Sequence, residues 1–177
     1  MAELLKNPHT LEKEQEELAQ VICRGKLIDE VDLAQLPYLL CIVKETLRIH
    51  PPGHFLLPRK VEEDIELCGY IVPKDTQVLV NVSAIGRDAG LWEDPLIFKL
   101  ERFWDSEMDV RGGDFELIPF GASQRICLGL PLAIRMVPVV LGSSLNTFNW
   151  KLHRGIVPKD LDMEEKLVLP WQKLNLY

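Results

Sequence analysis

The four cysteines of this 177-residue chain, Cys23, Cys41, Cys68 and Cys127, form no Cys-x-x-Cys pair, so neither a zinc knuckle nor a redox dithiol is indicated. Positive charge is also short: 20 Lys and Arg stand against 27 Asp and Glu, a formal net charge of -7. A nucleic-acid groove needs clustered cations to displace the counterions of phosphates, so nucleic acid is not an expected partner. No apolar run reaches the roughly 18 residues of a spanning helix. The best, residues 134–141, is short and carries Pro138. Met1 leads directly into a charged, helix-like stretch without a signal or anchor pattern. The residues alone therefore predict a soluble, intracellular chain with no membrane segment. The four histidines, His9, His50, His54 and His153, lack ligand spacing, and neither a glycine-rich phosphate loop nor an internal repeat occurs.

What is present is an ordinary globular composition, 47% hydrophobic and 27% charged. A chain of this length buries roughly 70% of its unfolded surface, enough for one domain with a core. Leu4, Leu11, Leu18 and Ile22 recur at helical spacing and predict one amphipathic helix ending near Arg24-Gly25. Leu36, Leu39, Leu40, Val43 and Leu47 mark a second helix, stopped by Pro51-Pro52-Gly53. Beyond Pro58 the pattern shortens around Gly69 and Pro73-Lys74-Asp75, predicting a β-hairpin or small antiparallel sheet. Residues 94–104 have little periodicity, and Arg111-Gly112-Gly113-Asp114 reads as an exposed loop. From Cys127 to Asn146 the sequence is apolar and helix-compatible, with Pro131 and Pro138 predicting a kink. Leu167-Val168-Leu169 would suit a final strand pair.

The most informative stretch is Pro119-Phe120-Gly121-Ala122-Ser123-Gln124-Arg125-Ile126-Cys127-Leu128-Gly129, which delivers a cysteine to the start of an apolar helix. A helix N-terminus and a nearby arginine both stabilise negative charge and favour the thiolate, the form that attacks as a nucleophile or binds a metal. An isolated cysteine, by contrast, is ordinarily a small buried hydrophobe. Two further motifs accompany this one in a fixed order, Lys44-Glu45-Thr46-Leu47-Arg48 and Phe98-Lys99-Leu100-Glu101-Arg102-Phe103.

Together these stretches resemble the cytochromes P-450. Phe120, Arg125, Cys127 and Gly129 match that family's cysteine loop, whose thiolate binds haem iron and pushes electron density toward oxygen. The second motif is similar to its Glu-x-x-Arg helix, and the third to the segment that adds another arginine. Asn81-Val82, residues 84–88 and residues 161–165 resemble plant microsomal members of the geraniol-hydroxylase type. Ser123 stands where the family usually has glycine, Gln124 where a basic residue is common, Leu128 and Leu100 where prolines are common, and Ser83 where tryptophan is frequent.

The resemblance implies an α+β, mainly helical fold: the C-terminal portion of the cytochrome P-450 fold, with a small antiparallel sheet, a meander and a cysteine loop leading into a helix. It implies haem b as cofactor and Cys127 as the axial iron ligand. Arg125 and Arg59 would pair with the haem propionates, Phe120 would shield the sulfur, and Gly129 would allow close backbone packing. Phe55, Leu56 and Leu57, with Val168 and Leu169, become substrate-contact candidates, although apolar core would use the same residues. Glu45, Arg48 and Arg102 would form a structural ion-pair cluster. Read from spacing alone, Glu45 and Arg48 lie off the apolar stripe like a solvated surface pair worth under about 1 kcal/mol.

The expected activity is hydroxylation of a small apolar, possibly terpenoid, substrate by a haem-thiolate monooxygenase supplied with electrons by an NADPH-dependent reductase. Residues 1–177 are expected to be a single partial domain, without the family's N-terminal anchor, distal helices or oxygen-activating helix, and inactive alone. Family members of this type reside at the endoplasmic reticulum membrane. The competing expectation is a non-catalytic relic or interaction module that binds no haem.

Overall fold

A computed structural model describes residues 1–153, 156–161 and 163. The single N-terminal helix expected from the leucine spacing is two: α1 (Ala2–Lys6) and α2 (Pro8–Val21). Pro8 explains the break, because its ring disfavours a helical Asn7 and it takes the first position of the new helix, where a missing N–H costs nothing. The helix also stops earlier than expected, with Ile22 extended at its C-cap. Leu4, Leu18 and Ile22 nevertheless fall on one buried face. Glu14 occupies the same stripe and is completely buried.

A 3-10 turn at Glu30–Gln35, closed by a reciprocal capping box between Asp29 and Asp32, leads into α3 (Pro37–Ile49). The Glu17 carboxylate accepts the N–H groups of Tyr38 (2.9 Å) and Leu39 (3.1 Å). A negative side chain of α2 thus caps the positive end of α3. Burial on α3 extends beyond the expected stripe: Leu39, Ile42, Val43 and Ile49 are buried, and so are Glu45 and Arg48.

The next segment forms nested antiparallel pairs. Strand β1 (Arg59–Lys60) pairs with β4 (Gln77–Val78), and between them β2 (Ile65–Leu67) pairs with β3 (Tyr70–Val72). The inner hairpin turns at Cys68 and Gly69, both with positive φ, the geometry whose twist suits a two-residue connection. A short helix α4 (Val82–Gly86) begins with the Asn81 side chain accepting the Ala84 N–H. It lies so close to α3 that a Cβ at Gly86 would collide with the carbonyl of Arg48.

Helix α5 (Leu130–Thr147) continues through Pro138. Leu130, Pro138 and Leu145 are buried in the core. Its C-terminal end is tied down by Asn146, whose Nδ2 donates to the carbonyls of Cys23 (3.0 Å) and Lys26 (2.8 Å), and by Ser143, whose Oγ accepts the Ile28 N–H (2.9 Å). The 134–141 run, by itself too short to span a membrane, sits in an 18-residue helix of mean hydropathy 1.2, long and apolar enough by length and composition. The core thus lies where α2, α3 and α5 meet, with Trp92, Leu100, Phe103 and Leu117 of the meander closing one side. Each large apolar side chain buried there contributes roughly 1.5–3 kcal/mol.

Candidate functional site

The cysteine loop is built by local hydrogen bonds. Gly121 donates its N–H to the Ile118 carbonyl (3.0 Å), and Ile126 to Ser123 (3.2 Å). The Cys127 N–H closes the loop on the carbonyl of Phe120 (2.9 Å), and the Cys127 carbonyl accepts the Leu130 N–H at the start of α5 (3.1 Å). Gly121 has a φ of +78° and Ser123 a φ of +57°. Serine therefore holds a left-handed conformation that glycine adopts without a Cβ penalty. Leu117, Ile118 and Ala122 are buried beneath the loop, and Phe120 and Ile126 pack against the core. Cys127, a free thiol, is exposed, as are Arg125 and Gly129.

Arg111-Gly112-Gly113-Asp114, expected as an exposed loop, supports this one. Gly112 has a φ of +82°, and a Cβ there would stand 2.9 Å from the Gly121 carbonyl oxygen and 3.0 Å from the Ala122 Cα. The double glycine signalled a turn in the sequence, but nothing local revealed what it would press against. At Gly129 a Cβ would lie 3.6 Å from the Cys127 Sγ, an ordinary contact, so protein atoms do not impose the tight packing expected there.

Arg59, half-buried in β1, lines a cavity of about 300 Å³ with Leu56, Val80, Ile85, Phe115, Ala122 and Ser123. The structure therefore brings Arg59 and Leu56 to the cysteine loop. Leu56 donates its N–H to the Val80 carbonyl (3.0 Å). Its neighbours Phe55 and Leu57, 53% and 84% exposed, alternate with it as the two faces of extended chain do. Val168 and Leu169, and with them the expected final strand pair, lie outside the described residues.

The pair that spacing alone reads as solvated is a buried network, and with Arg102 it forms the ion-pair cluster that the resemblance implies. Arg48 Nε and Nη2 donate to the two carboxylate oxygens of Glu45 at 2.7 and 2.8 Å, with both side chains fully shielded from solvent. Glu45 also accepts from the Lys99 N–H (2.9 Å) and from Arg102 Nε (3.3 Å). Arg48 Nη1 donates to the carbonyls of Gly86 and Pro95, and its guanidinium lies 5.1 Å from the centroid of the Trp92 ring. Arg102 continues to the carbonyl of Asp94 (2.8 Å). The meander supplies the covering surface that the spacing of α3 could not reveal. Gly86, Pro95 and the Lys99 backbone were missed because they contribute main-chain groups or an absent side chain.

Among the described residues no group of three or more His, Cys, Asp or Glu could hold a metal ion. An iron porphyrin, which brings its own remaining ligands, is a group that Cys127 alone can hold. An exposed thiol donor, an apolar cavity wall and two arginines suit an apolar ring with anionic substituents.

The sequence profile of the cytochrome P-450 family matches residues 1–176. The chain belongs to the cytochrome P-450 family. It is 65% identical over 175 residues to geraniol 8-hydroxylase of Catharanthus roseus, covering 99% of this chain and 36% of that protein. The corresponding enzyme of Swertia mussotii is 64% identical over 175 residues, again 99% of this chain and 35% of the relative. A geranylhydroquinone 3''-hydroxylase of Arnebia euchroma is 58% identical over 172 residues, 97% of this chain and 35% of the relative. A zebrafish cytochrome P-450 solved with abiraterone superposes with a TM-score of 0.72 at 34% identity, over 82% of this chain and 33% of that one. The chain thus spans about a third of the cytochromes P-450 it matches, and the mainly helical α+β architecture is that of the family. Cytochromes P-450 are haem-thiolate proteins that carry haem b.

Proposed function

We propose that this chain is the haem-binding C-terminal portion, a single partial domain, of a plant monooxygenase that hydroxylates a small terpenoid. The observation that carries this reading is the closed cysteine loop, which presents the free, exposed Cys127 and, through Ala122 and Ser123, lines a cavity together with Arg59. Cys127 would hold the iron. Arg59 and Arg125 would hold the propionates by charge-assisted hydrogen bonds, and half-buried Phe120 would limit water at the sulfur. Gly129, beside the sulfur, leaves a bound ring unobstructed. When bound, haem supplies the oxygen-activating chemistry.

Leu56, at the cavity, and Phe55, Leu57, Val168 and Leu169 are proposed to limit water and orient an apolar substrate. The names of the Catharanthus and Arnebia relatives support a terpenoid or prenylated one. Electrons would come from an NADPH-dependent reductase at the endoplasmic reticulum membrane, the setting proposed for the whole enzyme. Because the chain spans about a third of the relatives it matches, this portion alone is expected to bind haem without turnover.

Haem titration tests the reading. One haem per chain is expected, with affinity falling about tenfold on Arg59→Ala, the scale of one lost charged hydrogen bond. Loss of neither stoichiometry nor affinity on combining Arg59→Ala with Cys127→Ala would contradict it.

A further inference from the structure

We propose that the groove between α3, α5 and the end of the meander binds a small amphipathic carboxylic acid, an anionic head on an apolar body of about ten carbons. Its volume of about 630 Å³ lies within the roughly 300–1,000 Å³ of small-molecule sites. Leu33, Val43, Leu130 and Pro138 line it and are buried, while Leu47 and Ile134 line it and are half-buried. On α5 the lining runs from Leu130 to Pro138, about 12 Å at 1.5 Å per residue, which accommodates an acyl chain of about that length. The groove shares no residue with the cavity at the cysteine loop, and the proposal stands without haem.

The polar groups of the groove select the charge of the occupant. Arg135 Nε lies 3.1 Å from Glu30 Oε1 and Arg111 Nε lies 3.4 Å from Asp109 Oδ2, so each arginine is already matched by a carboxylate that lines the same groove. Lys44 is the exception. It is half-buried, its Nζ donates to the Met108 carbonyl (2.6 Å) and lies 5.8 Å from the centroid of the Phe103 ring, and no carboxylate among the described residues pairs with it. An ammonium has three N–H donors, so two remain for an oxygen anion after Met108 is served. Partly withdrawn from water, such a cation gains more from an anion than one at an open surface does. One unmatched cation beside an apolar wall suits one negative charge carried on hydrocarbon. A neutral apolar molecule leaves the ammonium unsatisfied, and a polyanion or an acidic peptide brings more charge than the groove can match.

The test is calorimetric titration of the chain, prepared without haem, with decanoate below its micelle-forming concentration and, in parallel, with decanol. One decanoate per chain is expected, with decanol at least about tenfold weaker, the scale of one charged hydrogen bond. Lys44→Met keeps the apolar stem and should weaken decanoate about tenfold, to the level of decanol. Ala133→Phe fills the groove from α5 without altering charge and should weaken both ligands alike. It also keeps the test decisive if loss of the Met108 bond unfolds the Lys44 variant, a point that circular dichroism settles. Arg59→Ala, in the other cavity, should leave decanoate binding unchanged, so that this proposal and the haem reading fail separately. Absence of binding, equal binding of decanol and decanoate, decanoate binding indifferent to the groove variants, or its loss on Arg59→Ala would each overturn the proposal.

Discussion

Glu14 is the least comfortable residue in the chain. It lies on the apolar stripe of α2, fully buried, and neither carboxylate oxygen has a hydrogen-bond partner. Burial, reinforced by the nearby Glu17 carboxylate, pushes its pKa from 4.5 up to about 9. The unfolded chain therefore releases this proton near pH 4.5 while the folded chain keeps it. The unfolded state binds fewer protons through that window, so this group's contribution to stability is greatest below pH 4.5 and falls as pH rises toward 9. Glu14→Leu is expected to flatten this dependence and to raise stability at pH 8 by about 1–3 kcal/mol, read from urea midpoints at several pH values. A destabilised variant with an unchanged pH profile would contradict the assignment. Glu45 and Arg48, unlike Glu14, are buried with a partner each, the carboxylate against the guanidinium. Arg48→Ala removes the bidentate partner of the buried Glu45 carboxylate, leaving it the Lys99 N–H and the longer contact to Arg102, and is expected to cost about 3 kcal/mol in the same measurement. Ser123 holds a left-handed backbone, and Ser123→Gly should stabilise the fold by about 1 kcal/mol. No change in its midpoint would show that the loop bears no strain there.

At the scale of elements, the cysteine loop depends on its neighbour. Gly112 abuts the Gly121 carbonyl and the Ala122 backbone, so Gly112→Val must displace one loop from the other. It is expected to weaken haem uptake by about tenfold or more, with far-ultraviolet circular dichroism unchanged because the helices lie elsewhere. Equal loss of helicity and uptake would mean that the contact serves the whole fold. Elements with strong local signals were legible in the sequence: the apolar period of α3, the turn residues of the nested strands, and the cysteine loop leading into α5. Less legible was whatever depends on distant chain. The leucine spacing continued across Pro8, although a proline there starts a helix of its own. The burial of Glu45 and Arg48 is decided by carbonyls of Gly86 and Pro95, some forty residues downstream and without any side-chain signature. Glu14 carried a usable signal, falling three residues after Leu11 and four before Leu18 on the buried face.

For the molecule as a whole, the parts divide by task. Helices α2, α3 and α5 form the core, the Glu45 network fixes the meander to α3, and the meander braces the loop that carries Cys127. Among the described residues each of these supports is supplied by this chain itself, and on that ground it is expected to build its thiolate site. The account stands or falls on Cys127. The chain should be expressed with haem supplied, reduced and exposed to carbon monoxide, and its Soret band recorded beside a Cys127→Ala control. A red-shifted, thiolate-type band present in the parent and lost in the control is the predicted result. Haem that binds equally in both, or no haem uptake by a chain that circular dichroism shows to be folded, would contradict it.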